Sequence, residues 1–180
     1  ILAITIILIR SVRYGFDIYL GEFKLLDLLS LHVCHIDLIL LVICLIKPKR
    51  GLFTFNFLIG IPTALAVALM PGQTHPEPGM LRAVFFIMSH TMLVMGAIYL
   101  LITYKFKIEK KDIMIYSIVS LLGIIAIYIL NVLTDSNYMY LREGPAGTVL
   151  EGLYNLLGSF WYVVSIYGLL IGLLIVLYMI

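Results

Sequence analysis

The amino-acid sequence predicts an all-α, polytopic transmembrane helix bundle of about six spans, the first of them truncated. Three observations carry that expectation. Of the 180 residues, 63% are hydrophobic and 12% charged, where a water-soluble domain has about 45–50% and about 25%. The apolar residues gather into runs near the ~20 residues that cross a ~30 Å hydrocarbon core. Short basic clusters sit between those runs rather than on one face of a fold. The formal net charge of +2 says less than this distribution. Basic clusters so short, set between apolar runs, exclude a nucleic-acid partner.

The chain opens with Ile1–Ile9, an apolar run too short to span. The numbering is therefore expected to begin partway through a helix, with 10–24 lying beyond it. A cleaved signal peptide is the competing reading, but no small-residue cleavage site follows. Five full spans are expected next, at about 25–46, 52–70, 81–104, 113–133 and 159–180. Helices are the element that fits, because lipid leaves backbone N–H and C=O groups without partners, and strand alternation is absent. Short connections and the lack of a repeat make residues 1–180 a single transmembrane domain. In the third span Pro62 removes one backbone bond and frees the carbonyl of Leu58. Segment 134–158 is long for a link. Its end, VLEGLYNLLG at 149–158, reads as a short interfacial helix, and Gly144 to Gly147 as a turn.

Charge sets the expected orientation. Lys47, Lys49, Arg50, Lys105, Lys107, Lys110 and Lys111 supply seven of the twelve Lys and Arg residues, in two loops. The positive-inside rule makes those loops cytoplasmic, and both ends of the numbered chain with them. Segments 10–24, 71–80 and 134–158 then face outside, although the first carries Arg10, Arg13 and Lys24. Trp161 and Tyr162 fall at the outer end of the last span, where interfacial aromatics belong.

Cys34 and Cys44 lie ten positions apart on one expected helix, roughly 15 Å along its axis. A disulfide needs Cα atoms within about 7 Å, so the two do not pair.

Polar residues concentrate on the second span, which holds Asp27, Ser30, His32, Cys34, His35 and Asp37. Ionisable groups inside a membrane are costly and face a cavity or a partner. At 100° per residue, Asp27, Ser30, Cys34 and Asp37 share one stripe, while His35 points about 100° away from Cys34. The fourth span supplies His90, between Ser89 and Thr91. Counted from the outer ends of their spans, Cys34 and His90 are at matched depth, about 14 Å. A Cys34–His90 pair is therefore geometrically possible if the helices are neighbours. It matters because the thiolate is the nucleophile and a nearby His generates it. The bland readings stand beside it: a buried Cys acts as a small hydrophobe, and a membrane His as a hydrogen-bonding strut. His32, Cys34, His35 and His90 are competent zinc ligands, but there is no i, i+4 His pair and no metal or other cofactor is expected. His75 is expected to be solvated. In the stretch NYMYLREGP (137–145), Arg142 has the donor fork that suits a phosphate or carboxylate, and Tyr138 and Tyr140 read as interface anchors. Asn56 is placed on the cytoplasmic half of its span, away from the polar set.

LSLHVCHIDL (29–38), FNFLIGIPTALAVALMPG (55–72), MSHTMLV (88–94), NYMYLREGP (137–145) and GSFWYVV (158–164) together resemble the YwaF-like family of bacterial integral membrane proteins, over about residues 25–165. The NYMYLREGP stretch is the most specific part. A eukaryotic relative of that family is a transmembrane acyltransferase of ether phospholipids that depends on a Cys and a His. The resemblance implies Cys34 as nucleophile and His90 as its partner, with His32, His35, Asp27, Asn137, Tyr140 and Arg142 around the substrate. Ser30 stands where the family usually has Pro, and Gly144 where a Lys is common.

The sequence thus leads to a multi-pass protein of the cell membrane with membrane lipids as its partners, acting by acyl transfer through Cys34. A small-solute transporter with a mid-membrane polar pocket, and a non-catalytic membrane subunit, are the alternatives. The orientation is testable on its own. A single Cys introduced at position 49 should resist an impermeant thiol reagent in intact cells and react after permeabilisation; labelling in intact cells would reverse the assignment.

Overall fold

The computed structural model describes residues 1–21, 23, 32–68 and 79–179, with the side chains of 67, 68, 79, 80 and 82 outside that set. Six helices and one 3₁₀ turn make up the described residues, with no strand among them. The helices fall into two compact units, one from the N-terminal end to Phe106 and one from Lys107 onward.

In the first unit, α1 (Leu2–Tyr19) runs well past the expected end at Ile9. Its charges do not end it because each is answered within one turn. The Arg10 guanidinium bonds the Tyr14 hydroxyl and lies 4.8 Å from the centre of that ring. Arg13 meets Asp17 at 3.6 Å, an i, i+4 pair. Residues 10–19 are therefore helix, not the outer link that the sequence suggested.

Helix α2 (Val33–Ile46) begins later than the expected residue 25, with His32 extended at its N-cap. Asp27, Ser30 and Lys24 lie outside the described residues, as do His75 and most of segment 71–80. The expected polar stripe survives as Cys34 and Asp37, both buried.

Helix α3 is made of Arg50–Phe55, a π-helical turn at Asn56–Gly60, and Ile61–Ala68. The Ile61 N–H reaches back five residues to the carbonyl of Asn56. Pro62 explains the position: it brings no N–H to the ladder and its ring crowds the carbonyl four residues back, so the helix widens just before it. The sequence marked the Leu58 carbonyl as freed but not the wider turn that results.

Helix α4 (Gly79–Tyr104) is the post against which α1, α2 and α3 pack. Leu93, Ala97 and Leu100, spaced to fall on one face, are fully buried, as are Leu41 and Cys44 on α2. Gly96 makes that approach possible, because a Cβ there would meet the δ-carbons of Leu41. Near Lys105 the unit closes with Phe106 against Phe53, ring centres 5.2 Å apart.

The second unit pairs α5 (Lys110–Thr134) with α6 (Val149–Met179). The Asp112 carboxylate accepts the Glu109 backbone N–H at 2.7 Å, fixing where α5 starts. Asp135, in the left-handed region at φ 50°, ends it. Helix α6 is interrupted at Gly158, φ 72° and ψ 168°, a conformation open to glycine. The break leaves a short helix at 149–157, as the sequence suggested, ahead of a span-length run at 159–179. Ile118, Leu122, Ile125, Ile129 and Val132 on α5 are exposed, as are Leu169, Leu173 and Val176 on α6, the arrangement expected where lipid is the solvent. By length and composition Ala83–Tyr104, Lys110–Thr134 and Val149–Met179 can cross a membrane, while Val33–Ile46 and Arg50–Ala66 are shorter apolar helices.

Asn131 anchors the turn after α5. Its amide donates to the Tyr138 carbonyl at 2.9 Å and its Oδ1 accepts the Tyr138 N–H at 2.8 Å. The side chain is fully buried. N131A strands both backbone groups and should lower stability by about 1–3 kcal/mol, while N131D keeps the acceptor and should lose less. Denaturant unfolding in micelles checks this; an N131A protein as stable as the parent contradicts it.

Candidate functional site

The first unit gathers the polar side chains that lipid would not tolerate. Cys34 lies in the first turn of α2, because the helix starts at Val33 and His32 caps it. The matched-depth reasoning had it two turns deeper in a helix that began at residue 25. First-turn amide N–H groups have no partner within a helix and carry its positive end, so this position favours a negative charge. The thiol is buried and hydrogen-bonded with Thr63 of α3.

His90 lies midway along α4, partly buried. Its Nδ1 is 2.8 Å from the Phe86 carbonyl oxygen, which only accepts, so Nδ1 carries the proton. In the neutral ring the lone pair is then on Nε2. The Phe86 ring, 4.2 Å from the imidazole, fixes its plane. Ser89 spends its hydroxyl on the Phe85 carbonyl. Helices α2 and α4, which carry Cys34 and His90, are packed neighbours, the condition that the sequence reading required.

His32 and His35 stand edge to face, ring centres 6.1 Å apart. Arg10 and Arg13 of α1 are near enough for their charges to act on both His35 and His90. The sequence assigned these arginines to an outer link and so missed them. Their i, i+3 spacing on a helix face was the available sign, hidden because charge was taken to end the helix.

Asp37 is fully buried, three residues after Cys34. Its partner is Asn56 of α3, whose Nδ2 donates to the Asp37 carboxyl and, at 3.1 Å, to the Asp37 backbone carbonyl. Asn56 was read as remote from the polar set; the bond to Asp37 corrects that. Among the described residues, no three His, Cys, Asp or Glu side chains converge as a metal site would require.

The second unit holds the remaining candidates. The Asn137 amide donates to the Glu143 carbonyl at 3.0 Å, and its Oδ1 accepts the Arg142 N–H at 3.0 Å. Arg142 Nη1 is taken up by Asp135 Oδ1 at 2.7 Å and by the carbonyls of Asn131 and Ser136. That hydrogen bond and the charge of Asp135 hold the guanidinium above its ordinary pKa. Met139 and Tyr140 both have positive φ, 57° and 54°, a costly backbone for residues with a Cβ. The Tyr162 hydroxyl donates to the Tyr140 carbonyl at 2.8 Å and helps to hold it. Tyr162 is fully buried, unlike exposed Trp161, so of the two expected interfacial aromatics Tyr162 is instead a bolt within its unit. Asn137, Tyr140 and Arg142 thus form one folded loop, and Cys34, His35 and His90 belong to the other unit.

No curated protein and no solved structure matches the chain. A sequence model of the TMEM164 family matches residues 1–178, nearly the full length, and the chain belongs to that family of transmembrane proteins.

Proposed function

We propose that this multi-pass membrane protein is a lipid-acting acyltransferase in which Cys34 is the nucleophile and His90 the base. One observation carries the reading: a buried thiol in the first turn of α2, beside a helix whose histidine has its tautomer set by Phe86 so that Nε2 is the basic nitrogen. The resemblance to YwaF-like proteins and their ether-phospholipid acyltransferase relative points the same way.

In the reaction, Nε2 of His90 takes the Cys34 proton as Sγ attacks the ester carbonyl carbon of a phospholipid. The S–C bond forms and the C–O bond breaks. His90 returns the proton to the leaving alkoxide, releasing a lysophospholipid. The cysteine thioester then passes its acyl group to the hydroxyl of a second lipid, with His90 again relaying the proton, and the thiol is restored. First-turn amides stabilise the thiolate. Arg10 and Arg13 offer positive charge to a lipid phosphate, with His32 and His35 as further donors. Arg142, its Nη1 already bonded within its loop, has less to give than the sequence suggested.

C34S, H90A and the double variant, expressed in cells and followed by lipidomics, test the proposal. C34S should abolish a set of acyl-exchanged lipids. H90A should slow the formation of the same set by about 10²–10⁴-fold, and the double variant should be no worse than C34S. Unchanged lipids in all three, with each protein stably inserted, would overturn it.

A further inference from the structure

The buried Asp37–Asn56 contact has two loose ends. Both side chains are fully inaccessible to solvent. Asp37 Oδ2 and Asn56 Oδ1 have no hydrogen-bond partner. No cation among the described residues is paired with Asp37, whose side-chain partner is Asn56. The orientation of the amide is not in doubt. The Asp37 backbone carbonyl can only accept, so the Asn56 atom 3.1 Å from it is the nitrogen. Both protons of that nitrogen are then spent, one on the Asp37 carbonyl and one on Asp37 Oδ1.

What remains is two acceptors and no donor. An ionised carboxylate here would be an unpaired charge in an apolar interior, with one oxygen unsatisfied. An orphaned Asn56 Oδ1 would add its own desolvation cost. One proton removes both faults. Placed on Asp37 Oδ2, it turns that oxygen into a donor for Asn56 Oδ1. Acid and amide then close a ring of two bonds, N–H to the acid carbonyl and O–H to the amide carbonyl. Gly60 in the π-helical turn leaves room for the acid, since a Cβ there would collide with the Asp37 carboxyl group.

We infer that Asp37 is held as a neutral acid, ring-bonded to the Asn56 amide, and so acts as a positioning residue that braces α2 against α3 without setting a second anion beside Cys34. Cys34 and Asp37 are one turn apart and near enough to act on each other electrostatically. Two anions at that spacing repel, so an ionised Asp37 would work against a Cys34 thiolate. The bracing follows from the ring alone; its value for Cys34 chemistry rests on the acyl-transfer proposal.

The test uses the full chain in nanodiscs near neutral pH. Infrared difference spectra between the parent and D37N should show a protonated-carboxyl carbonyl band in the parent, shifted by ¹³C-aspartate and lost in D37N. D37N keeps a neutral ring, amide to amide, and should unfold close to the parent, whereas D37A leaves the Asn56 amide stranded and should unfold at lower temperature. Iodoacetamide labelling of Cys34, with C34S as the background for Cys44, should follow the same pH profile in the parent and D37N. A missing carboxyl band, or a D37N labelling profile moved down by about one pH unit, would mean an ionised Asp37 and would overturn the inference. So would a D37N protein as unstable as D37A, the result expected of a carboxylate holding a cation. None of these readouts depends on lipid turnover, so the inference and the acyl-transfer proposal fail separately.

Discussion

Lipid supplies no hydrogen bonds, and that constraint organises this protein. Each polar group within the apolar layers needs a partner from the chain itself, or it costs several kcal/mol. The Asp37–Asn56 contact is the clearest case. It ties α2 to α3 at the one place where α3 departs from α-helical geometry. The same accounting recurs in small steps: Thr54, Thr63, Ser89 and Ser120 each return their hydroxyls to a carbonyl of the preceding turn. Tyr167 spends its hydroxyl on the Ser117 carbonyl and so ties α6 to α5.

Apolar run length made the helices legible in the sequence, and α4, α5 and the later part of α6 fall close to where it placed them. The break at Gly158 was legible too, because an amphipathic stretch preceded a continuous apolar one. Charge was the weaker guide. Arg10 and Arg13 looked like the end of a helix, yet Tyr14 and Asp17 lie one turn on and answer them, so α1 continues. The start of α2 was misjudged for a related reason. Hydropathy runs smoothly across residues 25–46, and nothing in it marks His32 as the extended residue that precedes Val33.

The candidate site was legible as a list and less so as an arrangement. Cys34, His35 and His90 stood out because ionisable residues are rare in apolar runs. Asn56 did not, since one amide in a span usually reports helix packing; its role emerges through Asp37, nineteen positions earlier. Tyr162 was read as an interface residue from its place beside Trp161, but which of two adjacent aromatics turns inward is decided by what the other helices offer. Here the offer is the Tyr140 carbonyl, exposed by a strained turn that no propensity would suggest.

The π-helical turn at Asn56–Gly60 sets a limit on how this chain can vary in length. A turn with one extra residue keeps everything after it rotated by about 100° relative to an uninterrupted helix. Deleting any one residue there would restore ordinary winding and swing Thr63 away from Cys34, even if every side chain that remained were chemically unchanged. Substitutions along this segment act locally, through volume and hydrogen bonding, whereas a single-codon deletion acts on the whole downstream half of the helix at once. The segment is therefore a place where the number of residues matters more than their identity.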